Sequence, residues 1–465
     1  MSGGASGAPP GTAGTRGTVV QVGAGLGGAL MALLLGRAGF TVRAFEMRPD
    51  PRRGPLVGGR SINLALSARG LDALARVGLL DRVLETGVPM RGRMIHDAHG
   101  GTAYQPYGTE AAHANHSVSR ADLNVILLDA ASKEPNVRFA FGRKCVGVDP
   151  DIPAATFENA AGAEDAAGTG APETVRADVV LGTDGAFSVV RRRMQRLDRF
   201  DFSQDYLSHG YKELTIPPGP GGSFLMEKNV LHIWPRGGYM MIALPNRDGS
   251  FTCTLFWPHE GPNSFAVLRT PDDVERFFGR EFPDATALLP DIAGQYMANP
   301  VGSLLTIRCR PWHHRGRVAL LGDACHAVVP FHGQGANCAF EDCVVLDEVL
   351  RETAGPPDWE RVFTRFEALR KVNADALAVL SLANFVEMRD HTASKAFRAR
   401  KAIEKALYRL FPASFMPQYM MISFSRIPYA ETIDRARRQG RILKAAASAA
   451  GLLVLLAVLL IVARR

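Results

Sequence analysis

Apolar and polar positions change their period several times along this chain. Residues 18–22 (TVVQV) form an almost unbroken apolar run, which predicts a strand buried on both faces. The run stops at glycines, residues 30–39 repeat apolar positions at helical spacing and close on Gly39, and 41–45 (TVRAF) predicts a second strand. From 211 to 257 the pattern shortens to YKELTI (211–216), VLHIW (230–234), YMMIAL (239–244) and FTCTLFW (251–257). The turn-formers PPGPGG, PRGG and PNRDG separate them, which predicts an antiparallel meander. Beyond Phe340, to about residue 405, the spacing is helical. Residues 445–463 carry no charge, and nineteen helical residues at about 1.5 Å each span about 28 Å, close to a bilayer's hydrocarbon core. That run predicts one transmembrane helix. Residues 1–17 are Gly/Ala/Ser/Pro-rich and predict a disordered tail, and 160–173 predicts a surface loop.

Charge changes this picture only locally. The formal +8 is concentrated after residue 430, where seven basic side chains meet two acids, so a nucleic-acid surface is not expected. Arg441 and Lys444 precede the apolar run, which places the body of the protein on the cytoplasmic side of a membrane. The six cysteines and twelve histidines show no ligand spacing, so neither a metal site nor a disulfide frame is expected.

Three motifs carry candidate chemistry. Gly23-Ala24-Gly25-Leu26-Gly27-Gly28 is a G-x-G-x-x-G between strand and helix, with Glu46 ending the next strand, where an acid binds ribose hydroxyls. It predicts a dinucleotide site, with pyrophosphate at the helix N-terminus. The second motif is Val179 to Leu181 running into Gly182-Thr183-Asp184-Gly185, with Arg191 beyond. The third is Val318 to Leu321 running into Gly322-Asp323, then Pro330-Phe331-His332-Gly333-Gln334-Gly335-Ala336-Asn337 and a helix with Glu341 and Asp342.

In this order the three motifs resemble the single-component flavin-dependent aromatic hydroxylases. Further stretches narrow the resemblance to the kynurenine 3-monooxygenase family: GRSINLALS (59–67), RMIHD (93–97), PYG (106–108), SVSRADLN (117–124), HGYKELTIPP (209–218), LHIWPR (231–236), GQGAN (333–337), NFVEMRDH (384–391) and SFSRI (423–427). The resemblance runs from about residue 19 to 429 and implies an α/β fold. In it an FAD-binding Rossmann-like parallel sheet joins an antiparallel β substrate domain, a C-terminal helical region and one transmembrane helix. The implied division is a tail at 1–17, an FAD-binding part at 18–205 with a substrate-contacting segment near 90–110, and the substrate domain at 206–300. A second FAD-binding part (301–355), a helical region (356–440) and a membrane anchor (441–465) follow.

It implies FAD as tightly bound cofactor and NADPH as transient co-substrate. L-kynurenine and dioxygen are the implied substrates, and a lipid bilayer the implied partner of the C-terminal helix. Carried over, Arg93, Tyr107, Asn384 and Tyr419 bind the substrate. Gly23, Gly25, Gly27, Gly28, Glu46, Arg48, Ala65, Arg120, Cys145, Asp184, Gly185, Gly322, Asp323, Ala336 and Asn337 bind the cofactor. No acid or base residue is implied, because the substrate's aniline nitrogen already activates the ring carbon. His332 departs from the family, where an aromatic is expected before Gly-Gln-Gly, and coupling is what it affects. The implied location is the mitochondrial outer membrane in a eukaryote or the cytoplasmic membrane in a bacterium, with the catalytic part facing the cytoplasm. Two other readings remain: a flavin hydroxylase of another aromatic acid, and a non-catalytic membrane-tethered flavoprotein.

Overall fold

The computed structural model describes residues 15–54, 63–108, 110, 113–160, 171–353, 355–391, 395–412 and 414–463. Side chains at 390–400, 405, 446–447 and 450–463 lie outside that description. Most of the expected tail and of the 160–173 loop, and the first residues of GRSINLALS, lie outside it too.

The long apolar runs stack side by side. Thr18–Val22 is the central strand, parallel to Thr41–Glu46 on one side and to Val179–Gly182 on the other. Val137–Phe141 and Val318–Leu320 extend the sheet outward in parallel, and His313–His314 adds a short antiparallel edge. Helix Leu26–Arg37 packs between helices Arg120–Ser132 and Gly335–Arg351. Covered on both sides, it is apolar all round instead of amphipathic, and it starts four residues before the expected 30–39 segment. Glycines that allow close packing had hidden its first turn.

The second sheet has seven strands. Gly302–Arg310, Asp201–Ile216, Phe251–Pro258, Met240–Pro245 and Leu231–Pro235 run antiparallel in that spatial order. Gly92–His96 then joins Leu231–Pro235 in parallel and pairs with Thr102–Pro106. Asp201–Ile216 begins ten residues before the run YKELTI, because its first eight residues (DFSQDYLS) are mostly exposed, and 201–206 pair only with Gly302–Arg310. Side-chain alternation sorts the two faces. Trp234, Met241 and Trp257 enter an aromatic core beneath helices Pro271–Glu281 and Ile292–Ala298, whereas Ile233, Met240 and Phe256 turn to Phe331, Phe385 and Met388. The first helix over that core starts with a capping box: Thr270 and Asp273 each satisfy the other's backbone N–H, with Pro271 at the first helical position.

A buried chain of rings ties this sheet to its helices. His96 Nδ1 lies 2.6 Å from Asp284 Oδ2, His96 Nε2 lies 2.9 Å from His232 Nδ1, and His232 Nε2 donates to the Glu227 carbonyl at 2.8 Å. Burial pushes His232 down to about 4. A histidine whose folded value is depressed binds its proton more readily when unfolded, so stability is full above pH 6.5 and falls as pH drops toward 4. That shift corresponds to about 3 kcal/mol at ~1.36 kcal/mol per unit. Thermal melts between pH 7 and 4 should show the decline, and His232→Gln should flatten it; an unchanged slope in the variant would contradict this assignment.

The helical region continues with Trp359–Val386, Lys395–Leu410, Gln418–Ser423 and Tyr429–Ala463. The expected transmembrane helix is corrected here: among the described residues no helix is long and apolar enough to cross a membrane. The described start of the last helix is charged, and its fully buried Tyr429 and Thr432 dock it against Trp359–Val386 and Gln418–Ser423. The side chains from 450 onward, which made up most of the apolar run, lie outside the described residues.

Candidate active site: a cofactor groove beside a buried arginine

The glycines of the first motif have separate tasks. Gly23 has φ +97°, and a Cβ there would lie 2.6 Å from the Thr183 carbonyl oxygen. At Gly28 a Cβ would meet the Gly23 carbonyl at 2.4 Å. Gly25, the N-cap of helix Leu26–Arg37, would meet nothing within 4 Å, so its backbone faces open space. A turn, a close packing point and a bare helix N-terminus are what a pyrophosphate requires. Gly27 packs the same helix against Leu321 and Ala339.

Glu46, 6% exposed, accepts from the Ala24 N–H at 2.9 Å, and its other oxygen accepts from Arg48 Nε at 2.9 Å. The acid therefore lies beside the glycine turn, with the Arg48 guanidinium at its rim. Arg120 opens helix Arg120–Ser132, whose Asn124 amide reaches the Ala24 carbonyl at 3.4 Å.

The second motif adjoins the first. Asp184 Oδ2 accepts from the Val189 and Val190 N–H groups, while Oδ1 is buried without a partner, and burial raises its pKa. Gly185 has φ +76° with open space around it. Arg191 donates to the carbonyls of Ala186 and Ala324 at 2.6 and 2.7 Å, tying this turn to the short helix Asp323–His326. Cys145 is buried near Asp184, and burial pushes its thiol up to about 12, so its side chain is unreactive and its backbone is what the groove can use.

The third motif closes the groove. Gly322 has φ +64° and exposed Asp323 follows it. Asn337, fully buried, accepts from the N–H groups of Ser67 and Gly70 and donates to the carbonyls of Ala65 and Gly333. Its amide is consumed in joining two segments, which leaves backbone N–H groups at Ala336 and Asn337, in the first turn of helix Gly335–Arg351, to face the groove. The open backbone at Gly25, the orphaned Asp184 oxygen and this second helix N-terminus fit a dinucleotide carrying a second ring system.

Beyond Ala65 lies a different environment. Arg93 is 6% exposed, yet its Nε has no partner. The guanidinium lies 4.6 Å from the Tyr419 ring centroid and 5.8 Å from that of Tyr107, and the two rings stack at 5.1 Å. Burial opposes the Arg93 charge, but Tyr419, Tyr107 and Glu387 outweigh it and hold the group firmly protonated. Burial and Tyr419 push the Tyr107 hydroxyl well above its usual range. His332 stacks on Tyr419 at 6.0 Å with Nδ1 buried and unpartnered, and burial with Arg93 drives it down to about 3, so the imidazole is neutral at physiological pH. Asn384 donates to the Phe331 carbonyl at 2.6 Å, one residue before His332. Arg93, Tyr107, Tyr419 and His332 thus form one pocket, and Asn384 supports its wall.

Motif reading missed the charges behind this wall. Asp342, fully buried, accepts from Arg370 Nε at 2.6 Å, from the Gly322 N–H at 3.2 Å, and pairs with His326 Nε2 at 2.5 Å. Arg370 also pairs with Glu341 at 2.6 Å, and Glu341 with Arg69 at 3.1 Å. His326, Cys338 and Asp342 approach one another closely enough for a metal ion, but Arg370 donates to both Asp342 and Cys338 Sγ and already supplies the positive charge there. No motif singles out Arg69 or Arg370 in the sequence; their partners Glu341 and Asp342 reveal them.

Comparison with known proteins agrees with the groove. A family model described as an FAD binding domain matches residues 16–211 and 301–358. The chain is 52% identical over 412 residues to a kynurenine 3-monooxygenase of Myxococcus xanthus, covering 89% of this chain and 87% of that one. It is 43% identical over 422 residues to that of Dictyostelium discoideum, covering 89% of each. Among solved structures, 2-methyl-3-hydroxypyridine-5-carboxylic acid oxygenase superposes with a TM-score of 0.65 at 22% identity, over 85% of this chain and 96% of that chain, a likeness of fold.

Proposed function

The chain belongs to the kynurenine 3-monooxygenase family, and from that premise we propose that the groove and the arginine pocket together carry out FAD-dependent hydroxylation of L-kynurenine. NADPH and dioxygen are consumed and 3-hydroxy-L-kynurenine is formed. The observation that carries the reading is Arg93: a buried guanidinium with a free Nε, walled by two tyrosines, beside the Ala65 segment of the groove. A carboxylate completes such a site through charge-assisted hydrogen bonds.

Bound in the groove, FAD supplies the redox chemistry that activates dioxygen. This chain's residues supply position and exclusion of water. Gly23, Gly25, Gly27 and Gly28 with Glu46, Arg48 and Arg120 hold its dinucleotide end. Asp184, Gly185, Cys145, Gly322, Asp323, Ala65, Ala336 and Asn337 hold the remainder. Arg93, Tyr107 and Tyr419 hold the amino-acid end of kynurenine, and Asn384 fixes the Phe331 carbonyl beside it. Met388, Phe331 and Phe385 make the neighbouring wall apolar. The substrate's own aniline nitrogen directs oxygen to the adjacent ring carbon, so no protein base is needed.

The test is NADPH oxidation by the FAD-loaded full chain with and without L-kynurenine, with mass detection of product. Strong stimulation and a product heavier by one oxygen are expected. Stimulation by another aromatic acid but not by kynurenine would overturn the substrate. His332 adds a narrower prediction. Its neutral Nδ1 is buried without a partner on a ring stacked against Tyr419, so His332→Phe should raise the KM for kynurenine about five-fold, the worth of one hydrogen bond of ~1 kcal/mol. A KM unchanged in the variant would remove His332 from the substrate's contacts.

A further inference from the structure

The segment that carries Tyr419 is joined to the cofactor groove by a second tyrosine. Helix Gln418–Ser423 ends with carbonyls that find no partner inside the helix. Arg69, 1% exposed, meets this need: Nη1 donates to the carbonyls of Ile422 at 2.6 Å and Ser425 at 3.1 Å, and Nη2 donates to that of Ile427. Its guanidinium lies 3.9 Å from the centroid of the Tyr429 ring. Tyr429 is fully buried and donates its hydroxyl to Gln334 Oε1 at 2.9 Å. Gln334, 2% exposed, donates Nε2 to Ser67 Oγ at 3.1 Å, and the Ser67 N–H is held by Asn337. The path therefore closes on itself: Arg69, Tyr429, Gln334, Ser67 and back along the chain to Arg69.

Gln334 lies between Gly333 and Gly335, which have no side chains, so its amide is the one side chain that this three-residue stretch itself contributes, beside the Asn337 amide that holds the Gly333 carbonyl. A buried amide in a dry site holds its orientation only while its oxygen has a donor, because an unpaired one costs more than a formed bond contributes. The Tyr429 hydroxyl, at 2.9 Å against 3.4 Å for the Ser67 hydroxyl, is the shorter donor, and it comes from ten residues beyond Tyr419.

We propose that Tyr429 is a positioning residue, whose hydroxyl fixes Gln334 and thereby sets the cofactor-facing Gly333–Gly335 backbone according to whether the Tyr419 segment is engaged by substrate. This deepens the function proposed above and rests on it. Tyr429 touches neither substrate nor cofactor. It carries substrate occupancy at Arg93 and Tyr419 to the loop, so that NADPH is consumed only when kynurenine is in place.

Tyr429→Phe removes one oxygen and keeps the ring under Arg69. In the FAD-loaded full chain, FAD content and the KM for kynurenine should stay near those of the unaltered enzyme. The ratio of NADPH oxidation with and without kynurenine should fall about five-fold, and the share of oxygen released as hydrogen peroxide should rise. A purely structural role would lower the melting temperature and leave that ratio alone, and a ratio within about two-fold of the unaltered enzyme overturns the proposal. Gln334→Ala cuts the link from the loop side with the Arg69–Tyr429 stack intact. It should reproduce the lost ratio, and the double variant should add nothing; independent, additive effects overturn the link. If the unaltered enzyme itself ignores kynurenine, the proposed function falls and takes this inference with it. If it responds and Tyr429→Phe responds equally, only the inference falls.

Discussion

Replacing Arg93 by methionine is expected to raise the KM for L-kynurenine by roughly 10²–10³-fold, the loss that follows when one partner of a buried charged pair is removed. FAD content should change little, because the side chains around the Arg93 guanidinium, Tyr107, Tyr419 and Glu387, are not among those assigned to the cofactor. The substrate-free melting temperature should hold or rise. In the absence of a carboxylate the guanidinium is buried with an unpartnered Nε, and the two tyrosines and Glu387 balance it, an arrangement that costs several kcal/mol in general terms. Methionine fills similar volume without that cost. Kynurenine should then raise the melting temperature of the unaltered enzyme and leave the variant's where it is, since only a ligand that binds the folded state protects it. Equal thermal protection in both proteins would remove Arg93 from the substrate site.

The largest loss of stability should come from Asp342→Ala. Burial opposes the Asp342 charge, but His326 and Arg370 prevail and hold its carboxyl below the usual range. Removing it leaves Arg370, 3% exposed, with Glu341 as its one acidic partner, strands His326, 4% exposed, and frees the Gly322 N–H that anchors the Gly-Asp turn. About 3–5 kcal/mol is expected for breaking a buried pair from one side. Denaturant unfolding followed by tryptophan fluorescence measures the loss, and flavin fluorescence should report weakened cofactor retention at the same time. The reciprocal sign appears at His326, which the Asp342 carboxylate raises against burial. That contribution is present below pH 6.5 and is lost as pH rises through the raised value. A loss below about 1 kcal/mol would mean that the network is not worth what its burial implies.

The cofactor groove was legible because its constraints are local. Gly23 and Gly28 are fixed by clashes with atoms of their own turn and of the neighbouring Thr183 loop, and such spacing survives in any sequence that keeps the turn. The arginine pocket was not legible in that way. Arg93 comes from a strand paired with Leu231–Pro235, Tyr107 from the chain after the next strand, and Tyr419 from a short helix near the other end. Without the resemblance each is an ordinary arginine or tyrosine. Residues 201–208 escaped notice because an arm paired on one side only needs no apolar alternation. The run at 445–463 misled because hydropathy weighs each residue by itself; among the described residues no helix is long and apolar enough to cross a membrane. Arg69 and Arg370 show the general limit: a buried ion network and a solvated helix face have the same composition.

The central sheet also has a history in time. Val179–Gly182 finishes its outer edge only by pairing with Val318–Leu320, and the whole substrate sheet except the hairpin Gly92–His96 and Thr102–Pro106 is made in between. At ~5–20 residues per second, a ribosome takes about 7–27 s to cover that interval. Throughout it the nascent chain carries an unpaired parallel edge of valine and leucine, the kind of edge that other chains can capture. The groove for the cofactor is complete only when Asn337 has emerged and closed on Ala65 and Ser67. Aggregation during production is therefore decided by what shields the Val179–Gly182 edge in those seconds, and slower initiation or a chaperone on the nascent chain acts there, before the flavin has anywhere to bind.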